Sequence, residues 1–538
     1  MLERKEFTKA PSMTLEEQSE NYVPLSRSAI WELQRSYYSR LGINAWQPNM
    51  VPNYVTTNPF IARSYAQVIE GFLEDFGVAG ASGGDREPYY IIELGAGSGR
   101  FAYGFLKFFF SPEQMAVRKK RDVVYVMTDI SETTIKYWRR HPQLKPFIDM
   151  GVLDFAYLDA LKDHPIDLLV SKKRIEPGKL SNPLSVIANY VFDSIPHDLY
   201  SASNGKLMAR HVCHRIETDS MEIDEIVRDT DFGYHEEPCG TDIYDNEDWN
   251  RILETYLKVK GGINFSFPVG GLKAIDRLAA LTSGPMFCLA GDFGASNLSV
   301  LADMPPRKIA RNGTYSLHVN FHAISEYVAL RKGRYFSPGH AKSSLEMAGI
   351  LMNPGRRQNR HLAHRFNMHI RDTGPDEFFM LKKMAEENFE THSLPRILAL
   401  FRMGHGDIKL FRGCSAALLK ALSGANEFER DSVVAELMKV DDIFFRCDRT
   451  ADPAILILQI LLSLNAKKEA LQILSRNRKF LEQTPEGILA LADSLHRLGR
   501  AEDAVPPLKM LLSREPGHPA AKALMARLSS GKMCEKSA

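Results

Sequence analysis

The segment Tyr90 to Arg100, Tyr-Ile-Ile-Glu-Leu-Gly-Ala-Gly-Ser-Gly-Arg, constrains the fold more than any other stretch of the chain. A short apolar run stops at a turn with glycines at 95, 97 and 99, and an apolar helical pattern follows. Glycine tolerates left-handed backbone and lets a ligand approach where a Cβ would block it. Glu93 stands just ahead of the turn, which suits a cationic or hydroxyl-rich ligand better than a phosphate. The P-loop lysine and the dinucleotide G-x-G-x-x-G spacing are both absent.

Strand and helix patterns then alternate, which predicts a doubly wound, mainly parallel α/β sheet. Tyr89 to Leu94 reads as the first strand and Gly99 to Phe110 as its helix, with Phe108, Phe109 and Phe110 as core. Val123 to Met127 reads as the second strand, closed by Asp129, and Ser131 as the N-cap of a helix running to His141. Val152 to Leu158 and Leu184 to Ala188 supply strands three and four. Met286 to Ala290 and Tyr315 to Val319 are expected to complete the sheet. Residues 215 to 250 are acidic and turn-rich, and read as an insertion or lid.

A chain of 538 residues exceeds one hydrophobic core. Four regions are expected: a disordered N-terminus (1–25), a helical segment (26–88) broken by a loop from Trp46 to Pro59, the sheet domain (89–385) and a helical domain (386–530). Gly80 to Pro88 reads as a polar connector. In the last region Leu491, Ala492, Leu495, Ala504, Leu508 and Pro516 fall at tetratricopeptide spacing. Thirty-four residues upstream of Ala504 lies Ala470, with Leu458, Leu461 and Leu474 at equivalent places. Such repeats imply a protein partner.

The net charge of +2 gives no overall reason to expect nucleic acid or an anionic membrane as partner. The basic runs Arg118 to Arg121 and Arg356 to Arg365 read as solvated loops. No stretch is apolar for long enough to predict a spanning helix. Six scattered cysteines without C-x-x-C or zinc spacing predict reduced thiols, no metal site and a cytoplasmic setting. Arg4, Lys5 and Lys9 would suit an organellar leader, whereas Glu3, Glu6, Glu16 and Glu17 argue against one.

In an open parallel sheet, ligands bind beyond the carboxyl ends of the strands. Glu93, Asp129, Asp159, and Asn189 with Asp193 fall at four such ends. Together they predict an S-adenosylmethionine (SAM) pocket. Asp129 would accept both ribose hydroxyls, and Asp159 the adenine amino group. Gly95, Gly97 and Gly99 would lie against the methionine portion, with Glu93 supporting it from behind. Asp193 and Asn189 would face the methyl acceptor, Asp193 taking its proton. His197, His211 and His214 read as surface histidines.

The Glu-x-Gly-x-Gly-x-Gly segment resembles the first motif of SAM-dependent methyltransferases. Val186-Ile-Ala-Asn-Tyr-Val-Phe-Asp-Ser-Ile-Pro196 resembles the "ANEFFDALP" segment of the MidA family within them, a family related to the mitochondrial complex I assembly methyltransferase. Asn53 to Pro59, Asp129-Ile-Ser131, Gly291 to Gly294 and Gly313 to Ile324 agree in order over roughly residues 30 to 350. The resemblance implies a class I methyltransferase fold, a SAM cofactor and methylation of a protein side chain, with arginine as the family's implied target. One position departs: the family's glutamate is Tyr190 here. A guanidinium favours paired carboxylates, so the methyl-donor site carries over more directly than the substrate. Two other readings compete: a methyltransferase of a small molecule or envelope precursor, and a non-catalytic SAM-binding scaffold working through its repeats.

Overall fold

The computed structural model describes residues 21–47, 50–51, 53–77, 87–117, 122–216, 220, 222–311, 313–340, 345–447 and 452–529. The expectations for residues 1–20, most of the 80–88 connector and the Arg118 to Arg121 run lie outside these. The chain divides into two compact units. The first comprises 1–56, 64–102 and 108–376, and the second 57–63, 103–107 and 377–538.

Seven strands build the main sheet of the first unit: β1 (Tyr89–Leu94), β2 (Val123–Asp129), β3 (Leu153–Tyr157), β4 (Leu184–Asn189), β5 (Met286–Asp292), β6 (Arg334–Phe336) and β7 (Glu346–Met352). Their order is β6-β7-β5-β4-β1-β2-β3. The five consecutive strands from β5 through β3 run parallel, and β7 is antiparallel to both β5 and β6. This is the class I methyltransferase order, and the direction of winding reverses between β4 and β1. Every residue of β1 and β5 is buried, which explains why both read as mainly apolar runs: helices cover both faces of a parallel sheet.

The expected last strand, Tyr315 to Val319, lies outside this sheet. It forms only two short pairings, Tyr315–Ser316 with Ala310–Arg311 and Val319–Asn320 with Gly294–Ala295. Its backbone is spent on the loops after β4 and β5: Leu317 N–H donates to Asp193 O at 2.9 Å and Val319 N–H to Phe293 O at 2.8 Å. The sheet is completed instead by β6 and β7. Only Ile350 is β-branched in Glu346-Met-Ala-Gly-Ile-Leu-Met352, so the local strand signal is faint.

Between β4 and β5 the chain makes a second, four-stranded antiparallel sheet. Its order is Ile263–Phe267, Asp198–Ser203, Lys206–Ile216, Thr230–Cys239. The first hairpin turns on Asn204-Gly205, both left-handed (φ 52° and 73°), as a two-residue hairpin loop requires. Within 215–250 the described residues supply this sheet's edge strand, Thr230–Cys239, and Trp249 is buried in the core beside Phe267.

In the second unit, helices run from Pro375–Glu386 through Pro519–Ser529. Two helix pairs, Pro453–Ser463 with Lys467–Leu481 and Pro485–Arg497 with Ala501–Arg514, follow one another. Leu458 and Ala492, Leu461 and Leu495, Ala470 and Ala504, and Leu474 and Leu508 are all buried at a shared 34-residue spacing. Pro516, also expected to be part of the pattern, is exposed. No helix among the described residues is long and apolar enough to cross a membrane.

Candidate active site

The glycine turn after β1 is left-handed at all three expected positions: φ is 58° at Gly95, 52° at Gly97 and 78° at Gly99. An L side chain in that region costs about 1–2 kcal/mol. At Gly97 space forbids one as well, because an added Cβ would meet the Trp46 ring at 2.6 Å. At Gly95 the same Cβ would find only Val191, at 3.7 Å, so bare backbone there borders open space.

That space is a cavity of about 140 Å³ at the carboxyl ends of the strands. Gly95, Asp129, Asp159 and Asn189 all line it. So the four strand ends converge as expected, through these residues. Glu93, Gly97, Gly99 and Asp193 are not among its lining residues.

Asp129 accepts Gly97 N–H at 3.2 Å and Ser131 N–H at 2.9 Å. A carboxylate has four lone-pair sites, so these backbone donors leave it capacity for a ligand. Burial pushes its carboxyl up to about 6, against the backbone donors of Ser131, Gly97 and Ile130. Ser131 also caps the following helix by accepting Thr134 N–H.

Asp159 is more heavily engaged. Arg35 donates to both its oxygens, and Leu161 N–H donates at 3.0 Å. Glu93 is buried behind the turn, where it accepts the Tyr125 hydroxyl at 2.9 Å. Burial raises its carboxyl to about 8; the Tyr125 hydrogen bond opposes this and the Asp129 charge adds to it.

On the β4 side, Asn189 Oδ1 accepts the Tyr65 hydroxyl at 2.7 Å, and its buried Nδ2 has no partner. Tyr190 is left-handed (φ 51°), so β4 ends in a tight bend. Asp193 accepts the hydroxyl of Ser194, which itself lines the cavity. Burial pushes Asp193 up to about 6. Its neighbour Asp292, raised well above the usual range by burial and by the Asp193 charge, accepts the N–H groups of Phe192, Asp193 and Phe293. Asp292 therefore holds the loop that carries Asp193.

Two of the expected surface histidines are buried. His197 is fully enclosed and bonded to Phe192 O at 2.7 Å, and burial lowers it to about 4. His214 is buried on the second sheet. His214 lies on the Lys206–Ile216 strand, whose inward face the local sequence does not reveal, and His197 in the loop that leads from β4 into the second sheet. Among the described residues no group of three or more His, Cys, Asp or Glu is placed to hold a metal ion.

The sequence reading missed the cavity's cover. Trp31, Gln34, Arg35 and Tyr38, at i, i+3, i+4 and i+7 on the Ile30–Leu41 helix, line it together with Trp46. Tyr38 and Trp46 stack with ring centroids 5.7 Å apart. The signal was available: one helix face carries these residues, and two of the chain's four tryptophans fall within 16 residues.

Bare left-handed backbone at Gly95, an ionisable Asp129 with free lone pairs and apolar walls (Trp31, Leu158, Ile130) fit an adenosyl ligand with an amino-acid tail. Residues 78–250, about a third of the chain, match the model of a family described as "Putative S-adenosyl-L-methionine-dependent methyltransferase". With the sheet order and the glycine turn, this defines the class: a SAM-dependent methyltransferase, with SAM as its cofactor.

Among solved structures, the chain is similar to a Burkholderia thailandensis protein described as "a COG1565 superfamily member and likely methyl transferase" and solved bound to S-adenosyl-homocysteine. The identity is 16%, over 61% of this chain and 82% of that one, with a TM-score of 0.37. A second structure, described as an uncharacterized COG1565 superfamily protein from that organism, gives 14% identity over 64% and 94%, TM-score 0.38. An O-methyltransferase family protein, also from Burkholderia thailandensis, gives 10% over 64% and 68%, TM-score 0.28. No curated protein matches the chain by sequence.

Proposed function

We propose that this enzyme is MidA-like and methylates a protein side chain, with its tetratricopeptide-like helical unit recruiting the partner that carries it. The observation that supports the catalytic half is the convergence of Gly95, Asp129, Asp159 and Asn189 on one cavity at the sheet's switch point. The 34-residue repetition of buried positions supports the recruiting half. The setting proposed is the cytoplasm, with no nucleic-acid partner.

In this reading the Gly95–Gly99 turn takes the methionine portion of SAM and Asp129 the ribose hydroxyls. Asp159 borders the adenine, and Glu93 braces the turn through Tyr125. Bound SAM supplies an electrophilic methyl on a sulfonium sulfur. The chain's own work is then alignment, which can supply most of the acceleration when the acceptor is already nucleophilic. Asn189, steadied by Tyr65, faces the acceptor from the cavity wall, and Asp193 stands behind Ser194, which lines the cavity and donates to it. Asp193, whose carboxyl burial pushes up to about 6, would take, by way of the Ser194 hydroxyl, the proton that an N–H acceptor loses as its N–CH₃ bond forms and the methyl's bond to sulfur breaks.

Arginine is the acceptor that the family resemblance suggests. Tyr190 stands where that family has a glutamate, and Asp198 does not replace it. Its carboxylate accepts Ser26 N–H at 2.9 Å and the Tyr244 hydroxyl at 2.8 Å. Asp193 would then be the carboxylate that meets the guanidinium.

The test is transfer of labelled methyl from SAM into lysate of a strain lacking this protein, resolved by size. A labelled protein band that disappears with Asp129→Ala is the expected result. Label confined to small molecules would sink the protein-substrate reading. No label from an enzyme that binds S-adenosyl-homocysteine would favour a scaffold.

A further inference from the structure

We infer that Gln34, on the Ile30–Leu41 helix, reads the hydrogen-bonding edge of the cofactor's adenine. Gln34 lines the cavity, is only 3% exposed, and neither its Nε2 nor its Oε1 has a hydrogen-bond partner. A buried carboxamide with both ends unmet is costly, because each group has given up water and gained nothing. Such a side chain at a ligand cavity is explained most simply by a ligand that completes it.

The chemistry narrows which part of the ligand that is. A carboxamide offers one donor and one acceptor side by side, which matches the adenine edge, where the exocyclic amino group donates and a ring nitrogen accepts. In the proposed reading the ribose hydroxyls are met by Asp129, which lines the same cavity. The residue expected to meet the adenine amino group, Asp159, has given much of its capacity to Arg35 and Leu161 N–H. That leaves the amino group short of an acceptor and the Gln34 carbonyl short of a donor. The neighbouring walls suit a flat base: Trp31 comes from the same helix turn, and Leu158, Ala160 and Leu161 follow β3. Arg35 and Gln34 thus divide the work, the first anchoring the helix to Asp159 and the second specifying the base.

This inference rests on the SAM reading of the cavity. Its test is calorimetric binding of S-adenosyl-homocysteine and of 5′-methylthioadenosine to the full chain and to Gln34→Met, a near-isosteric apolar replacement. Each good bidentate contact to a base is worth about a tenfold to hundredfold discrimination. Gln34→Met is therefore expected to weaken both ligands by about that factor, because both carry the adenine. It should also raise the unfolding midpoint of the ligand-free protein, since it removes an unmet buried amide. A merely structural glutamine would not show weaker binding together with higher stability. Gln34→Ala should reproduce the loss of affinity if the methionine packs poorly. Unchanged affinities would overturn the inference and leave Gln34 to the methyl acceptor. Weakened S-adenosyl-homocysteine with unchanged methylthioadenosine would overturn it in favour of the amino-acid end. Failure of the unmodified chain to bind either ligand would instead defeat the SAM reading itself.

Discussion

Glu93→Gln should make the first unit more stable at alkaline pH while leaving it nearly unchanged in acid. Glu93 is buried, accepts the Tyr125 hydroxyl at 2.9 Å and holds its proton up to about 8, against 4.5 when unfolded. The sign follows from the raised value. Below about 4.5 both states carry the proton and the group's contribution is fully present. Between 4.5 and 8 the unfolded chain has released it while the folded chain keeps it, so stability falls as pH rises. Above 8 the loss is complete. At about 1.4 kcal/mol per pKa unit the window is worth about 5 kcal/mol.

Glutamine keeps an acceptor for Tyr125 but never ionises, so this part of the slope disappears. The four tryptophans, Trp31, Trp46, Trp138 and Trp249, all belong to the first unit. Tryptophan fluorescence during urea unfolding therefore follows that unit alone. Asp129, Asp193 and Asp292 add slopes of the same sign, so the difference between protein and variant is the informative quantity. It should be near zero at pH 4.5, grow through neutrality and level off above pH 8. A difference that stays constant from pH 5 to 9 would refute the reasoning.

Binding of S-adenosyl-homocysteine should weaken as pH falls through about 6, by about tenfold per unit, because protonated Asp129 loses its charge toward the ribose. Asp129→Asn should bind weakly at every pH, and a variant retaining the wild-type profile would show that another group sets it. Gly97→Ala should cost about 1–2 kcal/mol for the left-handed backbone, and more because Trp46 must move from 2.6 Å; an unshifted thermal midpoint by tryptophan fluorescence would contradict that contact. In the helical unit, Asn477 Nδ2 donates to buried Asp441 at 2.7 Å, beside Arg446. Asn477→Leu should destabilise that unit by about 1–3 kcal/mol, seen as an earlier loss of helical circular dichroism, and an unchanged midpoint would count against the network.

Much of the first unit was legible along the chain because its signals are local. Strands β1 to β5 are short apolar runs, each ended by a polar residue or glycine turn, and parallel strands buried on both faces announce themselves that way. Gly95, Gly97 and Gly99 declared a left-handed turn, and Ser131 a cap, because both depend on a few consecutive residues. The same locality made the repeated helix pairs countable from Ala470 and Ala504.

Tertiary structure alone decided three matters. Completion of the sheet by β6 and β7, rather than by Tyr315 to Val319, depended on which segment found free backbone partners at the β5 edge. The burial of His214 depended on pairing within the second sheet, where register decides which face is inward, and that of His197 on the loop after β4, whose Phe192 carbonyl meets its ring. And the carboxylates at the strand ends acquired their tasks only from residues far off in sequence. Asp159 meets Arg35 across 124 positions, and Asp292 holds the loop of Asp193 across 99. Residue type and spacing can say that a carboxylate stands at a strand end, but the partner that occupies it is set by the folded chain's packing.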